Sequence, residues 1–230
     1  MRLLLAAIAC LALTVSVRGT PAQIADSAIL SAENPVLISS FGFFEGSAAK
    51  PSAALLPYAL RTPLFSDYAE KQRFLYLPPG KSYTVDQSGR LQFPVGSALI
   101  KSFGYYDAGG KLNIIETRLL LHRTEGWVAL PYVWNADGKD AALKIGGARK
   151  AVEFSKADGS KMAISYSVPN KNQCKQCHST NDAVMPVGPV WQNLAFETAK
   201  ARANFAKRGV LPSSLPAIEA KWDDAKSGTV

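Results

Sequence analysis

The sequence contains few of the residues that most often bind metals or carry redox chemistry. Its 230 residues include three cysteines, two histidines and three methionines. A Ser–His–Asp catalytic set cannot be argued from so few histidines. Any metal or redox chemistry must therefore be found at a small number of identifiable positions.

Several other patterns are also missing. The sequence has no glycine-rich phosphate loop, and the carboxylates Asp67, Glu70 and Glu116 are scattered without paired spacing. Lys and Arg number 26 against 18 Asp and Glu, but the basic residues are dispersed rather than arranged in a stripe, so we expect no nucleic-acid partner. A hydrophobic fraction of 47% excludes a disordered chain, and the length permits one large domain or two small ones.

The N-terminal apolar run is too short for a membrane-spanning helix. Residues 3–17 make 15 positions, whereas such a helix needs roughly 20. A short positive start precedes the run, and the small residues Gly19 and Ala22 follow it, which is the three-part pattern of a secretory signal peptide. We expect residues 1–22, including Cys10, to be removed on export. The mature protein would then be periplasmic or otherwise exported, and not an integral membrane protein.

Residues 23–168 show the pattern of a β-rich domain. An irregular lead-in, whose aromatic residues we expect to pack onto the domain, is followed by short β-type runs. Turn residues at 107–110, 124–126 and 135–138 separate these runs. The pattern predicts a mainly β fold with an antiparallel sandwich-like domain or a partly closed barrel. A short helix near residues 66–73 is an alternative within this fold.

One motif carries most of the chemical information. Residues 174–178 read Cys-Lys-Gln-Cys-His, the C-x-x-C-H signature of c-type haem attachment. Thiols of Cys174 and Cys177, one helical turn apart, can each add to a vinyl group on the same edge of the porphyrin. The adjacent His178 is then placed beneath the iron as an axial ligand. The sequence therefore predicts one covalently attached haem c.

Three other interpretations of the cysteine pair compete with haem. A thioredoxin-like redox pair requires a βαβ context that the sequence lacks. A zinc site with His178 and His122 would have only one C-x-x-C half. A plain disulfide between Cys174 and Cys177 would close a loop too short to stabilise the fold appreciably.

The surroundings of the iron are predicted less directly. The carbonyl of Pro189 is a candidate acceptor for Nδ1–H of His178, although the Gly-Pro pair there is equally typical of a simple turn. Met185 is our first candidate for the sixth iron ligand, followed by no protein ligand and then by His122. Met162 lies in a β-type run and is more typical of a core methionine. An iron without a sixth protein ligand would favour small-ligand binding or catalysis.

The pattern changes again after Pro169. Helical spacing is shown by Trp191, Leu194, Thr198, Ala201 and Phe205. We expect a helix over residues 191–205, with Gly209 as its C-cap. Residues 169–230 are accordingly assigned to a short α-helical, cytochrome c-like haem segment that is incomplete.

Longer strings of residues resemble an uncharacterised family of exported bacterial proteins, which have a β-rich front half and c-type haem motifs behind it. The resemblance runs from about Phe41 to the C terminus and is carried by residues 63–69, 93–101, 116–120, 126–135 and 168–174. It implies haem binding, a periplasmic location and electron transfer, and it supplies no substrate. Members usually continue into a second C-x-x-C-H motif, which this sequence lacks, so we expect a mono-haem or truncated version.

The sequence therefore predicts an exported c-type haem protein that carries single electrons to or from a redox partner, such as a periplasmic dehydrogenase. The alternative is a periplasmic haem enzyme, oxidoreductase or peroxidase-like, whose β domain binds the substrate or docks a dehydrogenase. Basic residues near the motif, including Lys171 and Lys175, would suit an acidic partner, although ordinary solubilising charge is the simpler explanation.

Overall fold

The computed structural model describes residues 23–156, 158–180 and 183–214. The predicted signal peptide and the last 16 residues lie outside these ranges. With 41% strand against 15% helix and with antiparallel sheets, the structure confirms the mainly β prediction. No helix in the described ranges has the length and apolar character needed to cross a membrane.

The helices of the described ranges are short, whereas the strands vary widely in length. The helices are α1 (Asp26–Leu30), α2 (Lys171–His178) and α3 (Ala199–Ala206), with 3-10 turns at Ile38–Phe41 and Trp191–Asn193. The longer strands are β3 (Glu70–Tyr76), β6 (Ala98–Tyr106), β7 (Leu112–Arg123), β8 (Gly126–Trp134), β10 (Ala148–Ser155) and β11 (Lys161–Val168). The shorter strands are β1 (Leu56–Pro57), β2 (Ala59–Leu60), β4 (Tyr83–Val85), β5 (Leu91–Gln92), β9 (Ala141–Leu143), β12 (Ser179–Thr180), β13 (Ala183–Val184), β14 (Leu194–Ala195) and β15 (Gly209–Val210).

A six-stranded antiparallel sheet forms the centre of the fold, in the order β1-β3-β6-β7-β8-β9. The predicted turns at 107–110 and 124–126 join β6 to β7 and β7 to β8 as antiparallel neighbours. Because side chains alternate across a strand, every second residue points to the same face. The register places Phe74, Ile100, Leu119 and Leu130 side by side on one face.

The N-terminal lead-in covers that first face. It is largely irregular, and its aromatic side chains pack against the sheet as the sequence predicts. Phe41 and Phe43 are fully buried and stacked with ring centroids 5.3 Å apart, and Phe44 meets Trp134 edge-on at 5.1 Å. The lead-in therefore supplies the apolar layer that a second large sheet would provide in a simple sandwich.

Smaller units cover the opposite face in two clusters. At one end of the sheet, Leu75, Leu99 and Leu120 pack with Cys174 and Phe205. At the other end, a separate cluster is built against the β10–β11 hairpin and contains Phe103, Val133, Phe154, Tyr166 and Val168. Residues after 169 thus share a core with the central sheet, and β14 pairs with β2 while β15 pairs with β4.

One helix prediction is wrong, and the alternative helix near residues 66–73 does not form. Instead of one helix over 191–205, the chain forms a 3-10 turn, strand β14 and the shorter helix α3. Helix α3 begins after Thr198 because the Thr198 side chain caps it, accepting a hydrogen bond from the Ala201 amide at 3.0 Å. The alternative helix near 66–73 is replaced by the start of β3, after Asp67 and Tyr68 adopt positive φ angles of 46° and 62°.

Gly209 also has a different role from the predicted C-cap. It lies in β15, parallel to β4, and an added Cβ would come within 2.2 Å of the Tyr83 ring. Tyr83 is fully buried, and its hydroxyl donates to the Phe205 carbonyl at 3.0 Å. Close approach to a buried ring, not helix termination, therefore requires glycine at this position.

Candidate functional site

The C-x-x-C-H motif lies on α2, a helix with a complete capping box. The Asn170 side chain accepts from the Gln173 amide at 2.9 Å, and the Gln173 side chain accepts from the Asn170 amide at 2.9 Å. These bonds satisfy amide groups that would otherwise be unpaired at the helix start. The Lys171 amide also donates to the Ile145 carbonyl at 2.9 Å. The cap makes residues 171–178 helical despite their polar composition, and it can be recognised in the sequence as Asn-x-x-Gln.

The helix places the two thiols in different environments. Cys174 is buried with 7% of its surface exposed and belongs to the apolar cluster on the sheet, whereas Cys177 is exposed. Burial raises the pKa of the Cys174 thiol, and the nearby charge of Arg118 opposes that rise. Neither cysteine is disulfide-bonded. Cys174 therefore carries its free thiol in the core and Cys177 carries its free thiol at the surface.

His178, at the end of α2, is half-buried and held by Met185. Its Nδ1 lies 3.3 Å from the Met185 carbonyl oxygen, and the Met185 amide donates to the His178 carbonyl at 2.6 Å. Burial lowers the pKa of His178, and the charges of Lys101 and Arg118 lower it further. The hydrogen bond to the Met185 carbonyl raises this pKa and offsets part of the decrease. The ring is therefore favoured as a neutral imidazole with Nδ1–H donating, which leaves the lone pair of Nε2 for a metal.

The acceptor for His178 differs from the predicted Pro189. The Pro189 carbonyl accepts from the Leu91 amide at 3.3 Å instead. A short hairpin explains the difference: β12 and β13 pair immediately after α2 and return the chain, so that Met185 reaches His178. Strands this short have no clear sequence signal, so sequence reasoning did not identify the Met185 carbonyl.

The side chains of His122 and Met162, the other candidate iron ligands, are engaged in contacts with the protein itself. Nδ1 of His122 is 2.9 Å from the Phe93 carbonyl, and its ring stacks on Trp127 with centroids 4.5 Å apart. Met162 lies on β11 opposite Phe154 and packs against the cluster of that hairpin. Their contacts account for both side chains without a metal.

A row of cations crosses the sheet beside the motif, and sequence reasoning did not detect it. Arg73 on β3 is paired with Lys101 on β6, and Lys101 is paired with Arg118 on β7. On the same face of the sheet, the residues two positions away on these three strands are Leu75, Leu99 and Leu120. These leucines belong to the apolar cluster that contains Cys174. We call Arg73, Lys101 and Arg118 the cationic row.

One end of the cationic row is neutralised internally. The fully buried Glu116 accepts from Nε and Nη2 of Arg118 at 2.6 and 2.9 Å and from the Tyr166 hydroxyl at 2.7 Å. The Arg118 guanidinium also lies 4.2 Å from the centroid of the Phe103 ring. Since a buried charge is costly without a partner, this network stabilises Arg118 in its place.

The donor set fits a c-type haem. Within the described ranges, no three or more His, Cys, Asp or Glu side chains gather into a group that could hold a metal ion, which gives the zinc alternative no support. A haem iron needs only one or two protein ligands, because the porphyrin supplies the others. Two free thiols one helical turn apart and an imidazole tied at Nδ1 meet that requirement at Cys174, Cys177 and His178.

Comparison of the chain with protein-family models, with curated proteins and with solved structures finds no match.

Proposed function

We propose that the protein is an exported c-type haem protein that carries single electrons. The observation that carries the proposal is the arrangement of α2: two free thiols one turn apart, followed by a histidine whose Nδ1 lies 3.3 Å from a main-chain carbonyl. When bound, the haem supplies one-electron oxidation and reduction at its iron. The residues of this chain attach, orient and shield it.

Each residue of the motif has a defined role in this proposal. The thiols of Cys174 and Cys177 would hold the haem by adding across its two vinyl groups. His178 would bind the iron, while the Met185 carbonyl accepts from Nδ1–H and orients the ring. The burial of Cys174 places one attachment point in the apolar cluster, and the exposure of Cys177 leaves the other at the surface.

The exposed side of α2 suits contact with a redox partner. Lys171 and Lys175 are exposed on the helix that carries both cysteines. Opposite charge on a partner would steer its approach toward the attachment site. We therefore propose a partner protein with an acidic docking surface, a periplasmic dehydrogenase being one such class.

A second candidate function follows from the positions of the possible sixth ligands. Met185 is bound through its main chain to His178, and His122 and Met162 are held by contacts of their own. With no sixth protein ligand, the iron would be open to small molecules, as in an oxidoreductase or a peroxidase-like enzyme. Immediate carbon monoxide binding to the reduced protein would favour this enzyme, and its absence would favour the electron carrier.

Covalent haem staining tests the main proposal. The full chain is expressed with c-type haem maturation machinery, and the pyridine haemochrome spectrum is recorded. We expect a c-type spectrum and haem that stays with the polypeptide under denaturing conditions, with loss of that haem in Cys174→Ser and Cys177→Ser. Cys10→Ser is the matched control, because it changes the one cysteine outside the motif and should leave attachment intact. A wild-type chain without covalent haem would contradict the proposal.

A further inference from the structure

The cationic row places like charges directly opposite one another on neighbouring strands. Arg73 faces Lys101, and Lys101 faces Arg118. Side chains in such pairs have Cβ atoms about 5 Å apart, and like charges at this distance destabilise a sheet. A sequence that folds into this register therefore needs a compensating negative charge near the row.

Within the described ranges, Arg118 is the one member of the row that forms an ion pair. Among the described residues the single ion pair is that of Arg118 with Glu116, whose oxygens are occupied by Arg118 and Tyr166. Arg73 is 7% exposed, and no hydrogen bond or ion pair engages its guanidinium within the described ranges. The Lys101 ammonium contacts the face of the Phe103 ring at 4.8 Å from its centroid, which provides no negative charge.

Positive charges outnumber negative charges around Lys101. Burial and the charges of Arg73, Arg118 and Lys71 together lower the pKa of Lys101 to about 7, although the charge of Glu116 acts in the opposite direction. Lys71 lies two residues before Arg73, on the same side of β3, and is half-buried. Arg73 is therefore a buried basic side chain and Lys101 a half-buried one. Within the described ranges, the N–H groups of both side chains have no hydrogen-bond partner.

The row also has an order relative to the motif. Arg118 lies close enough to Cys174 for its charge to act on the thiol, and both Arg118 and Lys101 act on His178. Because β3 is the next strand beyond β6, Arg73 is at the end of the row farthest from Arg118. The row thus has Arg118 at the end whose charge acts on Cys174 and Arg73 at the opposite end.

We propose that Arg73 and Lys101 bind the carboxylates of the haem propionates. This inference rests on the proposed haem function and deepens it. A haem attached through its vinyl edge would carry its two propionates on the opposite edge, away from the cysteines, and Lys101 and Arg73 lie on the strands beyond Arg118, whose charge acts on Cys174. An arginine fork and a lysine ammonium are the side chains that bind carboxylates best, and burial strengthens these bonds. The row would then be neutral only in the haem-loaded protein.

Two neutral substitutions and two controls test this site in the haem-loaded full chain. Arg73→Gln and Lys101→Met each remove one cation of the row. Arg149→Gln and Lys139→Met remove the same charges from exposed positions. The readouts are the propionate bending bands in the resonance Raman spectrum and the reduction potential of the haem. Lys101→Met keeps the test decisive if loss of the buried Arg73 impairs folding.

We expect both row variants to shift the propionate bands and to lower the reduction potential, because removal of positive charge favours the oxidised iron. The controls should match the wild type. A lowered potential with unchanged propionate bands would overturn the proposal, because the row would then act only through its field. Binding of added succinate to the loaded wild type, abolished in Lys101→Met, would also overturn it by assigning the row to a free carboxylate. A wild type without covalent haem is a distinct result that refutes the haem function itself.

Discussion

The main chain of Met185 is hydrogen-bonded to His178 at both of its polar groups. The Met185 amide donates to the His178 carbonyl at 2.6 Å, and the Met185 carbonyl oxygen lies 3.3 Å from Nδ1 of the His178 ring. Neither contact uses the thioether. The main chain and side chain of Met185 can therefore be tested separately, and their roles in the haem site are different.

Met185→Ala should leave the haem spectrum unchanged. The substitution keeps the main-chain carbonyl that lies 3.3 Å from Nδ1 of His178 and removes the thioether. Because the Met185 main chain is bonded to His178 at both polar groups, we expect the thioether not to serve as the sixth ligand. The measurement is the near-infrared spectrum of the oxidised protein, where ligation of iron by methionine produces a charge-transfer band. A band in the wild type that disappears in Met185→Ala would contradict this and identify Met185 as the sixth ligand.

The stability of the chain without haem should rise with pH above about 7, through Lys101. Its pKa in the folded chain is lowered to about 7 by burial and by the neighbouring cations. An unfolded lysine keeps its proton to about pH 10, so between these values the unfolded state binds more protons and the free energy of unfolding increases by up to about 1.4 kcal/mol per pH unit. Below pH 7 both states are protonated and Lys101 contributes no slope.

Urea unfolding of the wild type and Lys101→Met from pH 6 to 9 measures this effect. The difference in slope between the two proteins isolates Lys101 from other titrating groups. Lys139→Met, at an exposed position, should keep the wild-type slope. Equal slopes in wild type and Lys101→Met would contradict the burial of a charged lysine in the row.

Asn170→Ala should destabilise the protein by about 1 kcal/mol, because it removes the side chain that caps α2. Asn172→Ala is the matched control, since Asn172 is exposed inside the same helix and alanine favours helix there. The free energy of unfolding in urea measures both. A loss of similar size in both variants would mean that the capping box is not the source of the effect.

Glu116→Gln should be the most destabilising of these changes, by about 3 kcal/mol, because it removes a fully buried carboxylate and leaves the half-buried Arg118 without its charge partner. Tyr166→Phe removes one hydrogen bond to the same carboxylate and should cost about 2 kcal/mol. Glu153→Gln on the exposed side of β10 is the control. Unfolding in urea distinguishes them, and a near-neutral Glu116→Gln would show that Arg118 needs no partner.

Local features were predictable from the sequence. The turn residues at 107–110 and 124–126 specify hairpins through neighbouring residues, and the structure confirms the mainly β fold. Helical spacing misled at residues 191–205, since Thr198 can start a new helix by capping it and Leu194 pairs with a distant strand. Periodicity alone does not include these competing contacts.

The sequence by itself determined the β-rich character of the chain and the placement of Cys174, Cys177 and His178 within one short motif, because both depend on spacing along the chain. Only the tertiary structure decided what surrounds that motif. The Met185 carbonyl reaches His178 through a short hairpin, and the cationic row exists because strand register brings Arg73 and Lys101 together from separate strands. Register depends on how whole strands bury their apolar faces, which no local pattern specifies.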